Sequence, residues 1–260
     1  MLLVDVGNTQ THFGVYEKGS GTVSEHWRFA TVPESTSDEL GAALHNLLAL
    51  RGLGFDDIDR SIVSSTVPLL SEEWARMAER YLGHEMMIVG PQIRTGMAIR
   101  IDNPREVGAD RLVNAVAAFD RVKDACVVVD FGTAITYDAV SAAGEYLGGI
   151  ITPGAEISIE ALYERAAKLP KVELAEPRAL IGKSTVEAIR SGIVYGFAGQ
   201  VEGIVRRLRD ELGDGITVIA TGGLAGALVP HVRETIDRVD DFLTLTGLRL
   251  IWERNQPERF

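Results

Sequence analysis

An aspartate that closes a run of buried-type apolar residues and precedes a glycine is suited to phosphate and metal chemistry, and this chain has two. Leu2-Leu3-Val4-Asp5-Val6-Gly7-Asn8-Thr9 leads into His12-Phe13-Gly14-Val15-Tyr16. Val127-Val128-Val129-Asp130-Phe131-Gly132-Thr133-Ala134-Ile135-Thr136 leads into Tyr137-Asp138-Ala139-Val140. Gly7 and Gly132 allow backbone N–H groups to turn toward phosphate oxygens, and Asn8, Thr9 and Thr133 add short polar side chains. Asp5 offers Mg²⁺ the hard oxygen it prefers, directly or through water. One such string is as readily an ordinary turn in which Asp and Asn bond their own backbone. Two matching turns can approach one anion from opposite sides, which favours the phosphate reading. A third candidate, Thr221-Gly222-Gly223-Leu224-Ala225, has a Gly-Gly step that lets a base or ribose pass close to the backbone ahead of a helix N-terminus. Alone it is only a tight strand-to-helix turn.

The elements around these residues alternate between α and β. Each aspartate stands at the mouth of a predicted hairpin, and the two copies lie 125 residues apart, about one small domain. Thr36 with Glu39 predicts a capping box opening a helix through Leu40, Leu44, Leu47 and Leu48 that stops near Gly52. Ser61–Ser65 and Met86–Val89 read as strands, and Ser71–Leu82 as a helix ending near Gly83. Arg105–Phe119 reads as a helix joining two lobes. Ser184 with Glu187 predicts a second capping box at the head of a long helix toward Leu208. Ile216–Ala220 reads as a buried strand, and Leu243–Trp252 as a segment that packs back on the body.

Composition narrows the function. The 260 residues are 46% hydrophobic and 24% charged, a globular balance with room for one large or two smaller domains. The net charge of −11 opposes nucleic acid and anionic lipid, so a nucleotide site must compensate locally with N–H groups, metal or placed arginines. No apolar run approaches the roughly 20 residues of a membrane span, and the start has no basic leader. One cysteine, Cys126, supports neither an internal disulfide nor a multi-cysteine zinc site. The expected location is cytoplasmic. The five histidines have no ligand spacing, and Trp27, Trp74 and Trp252 read as core or interface.

Together, Asp5-Val6-Gly7-Asn8-Thr9, Asp130-Phe131-Gly132-Thr133-Ala134 and Thr221-Gly222-Gly223-Leu224 resemble the first phosphate, second phosphate and adenosine motifs of the acetate and sugar kinase/heat-shock chaperone/actin superfamily. Asn103-Pro104-Arg105-Glu106-Val107-Gly108-Ala109-Asp110-Arg111 is similar to the signature of one branch, the type III pantothenate kinases. Ser64-Ser65-Thr66-Val67-Pro68, Gly148-Gly149-Ile150-Ile151-Thr152-Pro153-Gly154 and Leu243-Thr244-Leu245-Thr246-Gly247-Leu248 match its other landmarks, in order along essentially the whole chain.

The resemblance implies an α/β fold of two tandem ribonuclease-H-like lobes, the actin-like ATPase fold, with the active site in the cleft between them. The lobes would span 1–118 and 119–260. The implied activity is ATP-dependent phosphorylation of pantothenate to 4′-phosphopantothenate, the entry step of coenzyme A synthesis, by a homodimer. Asp5, Val6, Gly7, Asn8, Thr9, Gln10, Thr11 and His12 would form the ATP segment with Thr133, Gly222 and Gly223. Asp5 would organise Mg²⁺, and Asp130 a monovalent cation, potassium or ammonium. Gly108, Ala109, Asp110, Arg111 and Thr185 would line the pantothenate site, with Asp110 as proton acceptor. Pantothenate carries a carboxylate and a primary hydroxyl, so it needs a cation or N–H-rich end and an acceptor, and Arg111 beside Asp110 supplies both. A carboxylate of ordinary basicity suffices, because a loose phosphoryl-transfer transition state asks for the alcohol's proton late. The competing reading of that pair is a surface salt bridge of about 0–1 kcal/mol. Ile101 stands where many relatives carry tyrosine, which removes a hydrogen bond from the acceptor side. The rival functions are another small-molecule kinase of the superfamily, acting on a sugar or acetate, and a non-catalytic nucleotide-binding regulator. A dinucleotide dehydrogenase is disfavoured, since no Gly-x-Gly-x-x-Gly follows the first strand.

Overall fold

The computed structural model describes residues 1–17 and 21–256, and the chain divides into two compact units. The first is built on β1 (Leu2–Val6), β2 (Gln10–Tyr16), β3 (Val23–Ala30), α1 (Ser37–Ala49), β4 (Ser61–Ser65), α2 (Pro68–Met77) and β5 (Met86–Ile88). Leu2, Leu3 and Val4 are wholly buried, as a central strand covered on both faces requires. The sheet order is β3-β2-β1-β4-β5, antiparallel on the hairpin side of β1 and parallel on the other. Leu2, Val4, Val6 and Phe13 pack with Leu40, Leu44 and Leu48 of α1 and Leu70, Trp74 and Met77 of α2.

Local chemistry explains where these helices begin and end. The Thr36 hydroxyl accepts the Glu39 N–H at 3.4 Å while the Glu39 carboxylate accepts the Thr36 N–H at 2.8 Å, the expected capping box. Gly52, at φ +71°, turns the chain after α1. The second predicted helix is shorter than its pattern. α2 stops at Met77, and Ala78–Leu82 continues as a wider π turn into Gly83 at φ +72°.

The second unit begins with β6 (Ala98–Ile99) and resumes within α3 (Ala109–Val122), between Ala117 and Ala118. It continues through β7 (Cys126–Phe131), β8 (Ala134–Val140), β9 (Glu145–Pro153), α4 (Ala155–Arg165), α5 (Thr185–Leu212), β10 (Thr217–Thr221), α6 (Ala225–Leu228) and β11 (Arg238–Val239). Its sheet runs β11-β10-β7-β8-β9-β6. From β7 outward, β8 and β9 follow antiparallel while β10 and β11 follow parallel, the same plan as β1 with β2, β3, β4 and β5. The repeated aspartate hairpins thus head two copies of one topology, as the sequence echo predicts.

Two expectations are modified. Ser184 caps α5 by accepting the Glu187 N–H at 3.3 Å, but Glu187 returns its carboxylate to the N–H of Arg178 at 3.0 Å and not to Ser184. The last helix, α7 (Leu243–Arg254), belongs to the first unit together with Phe242, whereas the sequence groups it with 119–260. The reason is packing. α7 lies on β1, β2 and β4, and Thr244 donates to Asn114 at 2.8 Å.

Gly247 makes that docking possible, since a Cβ there would lie 2.1 Å from the carbonyl oxygen of Val113. Gly247→Ala should therefore cost about 1–3 kcal/mol through overpacking. Thermal melts should show a fall of several degrees, on the order of 2–4 °C per kcal/mol. An unchanged melting temperature would contradict this close packing.

Candidate active site

The first turn is fixed by backbone, and its tip is exposed. The Gly7 N–H donates to the Gln10 carbonyl at 3.0 Å, and a Cβ on Gly7 would stand 2.9 Å from that oxygen. The Thr31 N–H donates to the Thr9 carbonyl at 2.9 Å and ties the turn to the end of β3. Asn8, Thr9 and Gln10 face solvent. The rest of the Asp5–His12 segment is oriented otherwise. Val6 lies in the core, and Thr11 is buried with its hydroxyl 2.9 Å from that of Thr31. His12 packs against Phe242, and its Nε2 lies 3.4 Å from Nδ1 of His26.

Strand register supplies what the motif does not show. Asp5 is opposite His12 on β2 and Ser64 on β4, so these side chains share one face of the sheet. The Ser64 hydroxyl is buried and has no hydrogen-bond partner among the described residues. Burial, reinforced by the Arg28 and His26 charges, pushes His12 down to about 3. It is therefore a neutral imidazole and does not neutralise the neighbouring carboxylate.

The second turn is joined to the Gly-Gly turn within the second unit. Asp130, the penultimate residue of β7, pairs in register with Thr136 on β8 and with Thr221 on β10. Gly222 follows at φ +96°, and a Cβ there would lie 2.3 Å from the Asp130 carboxylate. The Leu224 N–H donates to the Phe131 carbonyl at 3.0 Å, locking the two turns together. Thr133 is half-buried and its carbonyl accepts the Gly154 N–H at 3.0 Å, while Gly223 is exposed. Asp130, Thr133 and Gly222, scattered in sequence, are thus parts of one small region.

Asp110 lies at the head of α3 in the first unit, as Asp5 does at the end of β1. The residue as a whole is half-buried, but its carboxylate folds inward over Gly108, where a Cβ would be 2.5 Å from Oδ1. Burial raises its pKa above the ordinary carboxyl value, partly opposed by the Arg111 N–H and the Arg111 charge. A carboxylate of raised basicity at a partly open helix start is a reasonable proton acceptor. Ala109 and Arg111 flank it, both half-buried. Just before it, Asn103 accepts the Arg105 N–H at 3.3 Å and donates to Glu106 at 2.7 Å, fixing the approach to the helix. Thr185 is exposed on the first turn of the 28-residue α5, in the second unit, where helix N–H groups favour an anion. Ser64, Thr136 and Thr221 lie inside the quoted motifs, but the motifs do not show them as neighbours of the aspartates. Their signal is strand register, which single-sequence patterns do not give.

No group of three or more His, Cys, Asp or Glu suited to a metal occurs among the described residues. A Mg²⁺ held at Asp5 would complete its shell with water and phosphate oxygens, as Mg²⁺ ordinarily does.

Comparison with known proteins gives concordant results. The family model described as type III pantothenate kinase matches residues 1–207. A type III pantothenate kinase of Moorella thermoacetica is 49% identical over 255 residues, covering 98% of this chain and 99% of its own. Those of Geotalea uraniireducens and Myxococcus xanthus are 48% and 50% identical, at 98% of this chain and 99% and 98% of theirs. Among solved structures, a Sinorhizobium meliloti protein named as a 2-dehydro-3-deoxygalactonokinase aligns with a TM-score of 0.59 at 14% identity, over 98% of this chain and 99% of that one. The ethanolamine utilization protein EutJ of Carboxydothermus hydrogenoformans gives 0.57 at 14% identity, over 96% and 89%. These likenesses show a shared α/β fold.

The buried Asp110 carboxylate generates a pH-dependent cost. With its folded pKa raised, the cost is absent below the unfolded value and complete once pH passes the folded value. Asp110→Asn should gain melting temperature over the parent at about pH 7, and the gain should fade toward about pH 3. An equal difference at both pH values would contradict the burial of that charge.

Proposed function

We propose that this chain, which belongs to the type III pantothenate kinase family, phosphorylates pantothenate at its primary hydroxyl with ATP, giving 4′-phosphopantothenate and ADP at the entry to coenzyme A synthesis. The observation that carries the reading is the inward carboxylate of Asp110 beside Arg111 at the start of α3. The hydroxyl oxygen forms a bond to the γ-phosphorus, the bond to the β-phosphate oxygen breaks, and the alcohol proton passes to Asp110. Arg111 favours the acceptor's carboxylate, and Thr185 is a further pantothenate contact in this reading. The exposed Asn8–Gln10 turn and the Thr133, Gly222 and Gly223 region hold the nucleotide, their backbone N–H groups offsetting its charge on an acidic protein.

Asp5 is the residue that would hold Mg²⁺, which when bound neutralises phosphate charge. Its setting fits: a carboxylate at a strand end, next to a buried hydroxyl and a neutral imidazole. Asp130 would hold potassium or ammonium, a carboxylate paired in register with the two threonines Thr136 and Thr221. The proposed assembly is a homodimer. It is supported by exposed apolar side chains of the second unit, with Ile151 on β9, Ile157, Leu162 and Tyr163 on α4, and Leu180 and Ile181 ahead of α5. The proposed location is the cytoplasm, where ATP is made and spent.

A coupled ADP-release assay tests the function. ADP release should depend on pantothenate and rise with potassium. Asp110→Asn should lose about 10²–10⁴-fold in kcat while still folding. A nucleotide-binding regulator would tolerate that substitution, and a sugar or acetate kinase would release ADP when its own acceptor replaces pantothenate. No pantothenate-dependent turnover, with or without potassium, would refute the assignment.

A further inference from the structure

We infer that Thr136 is a ligand of the monovalent cation at Asp130 and that the buried Asp138 is the positioning residue that makes it one. This rests on the cation reading proposed above, and the supporting observations all lie in the second unit. Register aligns Thr221, Asp130, Thr136 and Ile151 in one row across β10, β7, β8 and β9, on one face of the sheet. A threonine hydroxyl has one proton and two acceptor lone pairs. The Thr136 hydroxyl donates that proton to Oδ2 of Asp138 at 3.0 Å, along its own strand. Asp138 is wholly buried, and its other oxygen accepts the phenol of Tyr146, itself 1% exposed, at 2.7 Å.

The consequence is directional. With its proton committed to Asp138, the Thr136 oxygen presents only lone pairs on the face it shares with the Asp130 carboxylate. A cation between those lone pairs and the carboxylate would be attracted by both. If Asp138 only satisfied two hydroxyls inside the sheet, replacing it would change stability without changing the response to potassium.

The test is a potassium titration of the full chain, read both as melting temperature without substrates and as the activation constant for potassium. Choline chloride at equal ionic strength serves as control. Thr136→Val, of similar shape but lacking the oxygen, should move the potassium midpoint upward by at least about tenfold, the worth of one lost ligand. Asp138→Asn should do the same, because an amide can turn its NH₂ toward Thr136 and reverse the hydroxyl. Thr136→Ser should restore the parental midpoint. A parental midpoint in Thr136→Val overturns the inference while leaving the cation at Asp130 in place. If the parent itself shows no shift with potassium beyond choline, the cation reading falls and the inference with it. Should Asp138→Asn fail to fold in choline, the Val and Ser variants decide the matter.

Discussion

A carboxylate cannot sit in the middle of a strand buried on both faces unless something compensates its charge, and the site follows from that constraint. Leu2, Leu3 and Val4 are wholly buried in β1, as Val127, Val128 and Val129 are in β7. Each strand admits its aspartate only one residue before its end, beside a glycine turn that is exposed at its tip after β1 and half-buried after β7. In the proposed reaction, the compensation is the cation chemistry that phosphoryl transfer needs. The same topology meets this constraint twice with different neighbours. Asp5 lies between Ser64 and a neutral His12, whereas Asp130 lies between two threonines. The two positions thus differ in cross-strand chemistry, and the different ions proposed for them come from the family resemblance.

Glycine sets how closely the pieces approach. Gly222 lets the Thr-Gly-Gly turn lie on the Asp130 carboxylate, and Gly108 lets Asp110 fold inward. A methyl group at either position would collide with the oxygen used in the proposed chemistry. These contacts link stability to function, since the burial that raises the Asp110 pKa also makes it a better acceptor for a proton.

Much of this was legible in the sequence because it is local. The two aspartate hairpins, the Thr36–Glu39 box, the strand Ser61–Ser65 and the long helix after Ser184 are each specified by residues within a few positions. What was not legible depends on partners far along the chain. β3 alternates half-buried and exposed residues at a sheet edge, and β9 mixes glycines with exposed isoleucines, so neither has a continuous apolar run. The return of α7 to the first unit depends on Gly247 meeting Val113. The roles inferred for Thr136 and Asp138 depend on register, which fixes faces only once strands are paired. The site residues were named from motif resemblance, and the structure adds their surroundings.

The central claim is that the two strand-end carboxylates serve the nucleotide and its cations and are not required by the fold. Calorimetric titration of ATP with Mg²⁺ and potassium into Asp5→Asn and Asp130→Asn tests it most directly. The account predicts at least about tenfold weaker binding in each, a loss of about 1.4 kcal/mol or more, with melting temperatures in ligand-free buffer at or above the parent's. Parental ATP affinity in both variants would contradict it.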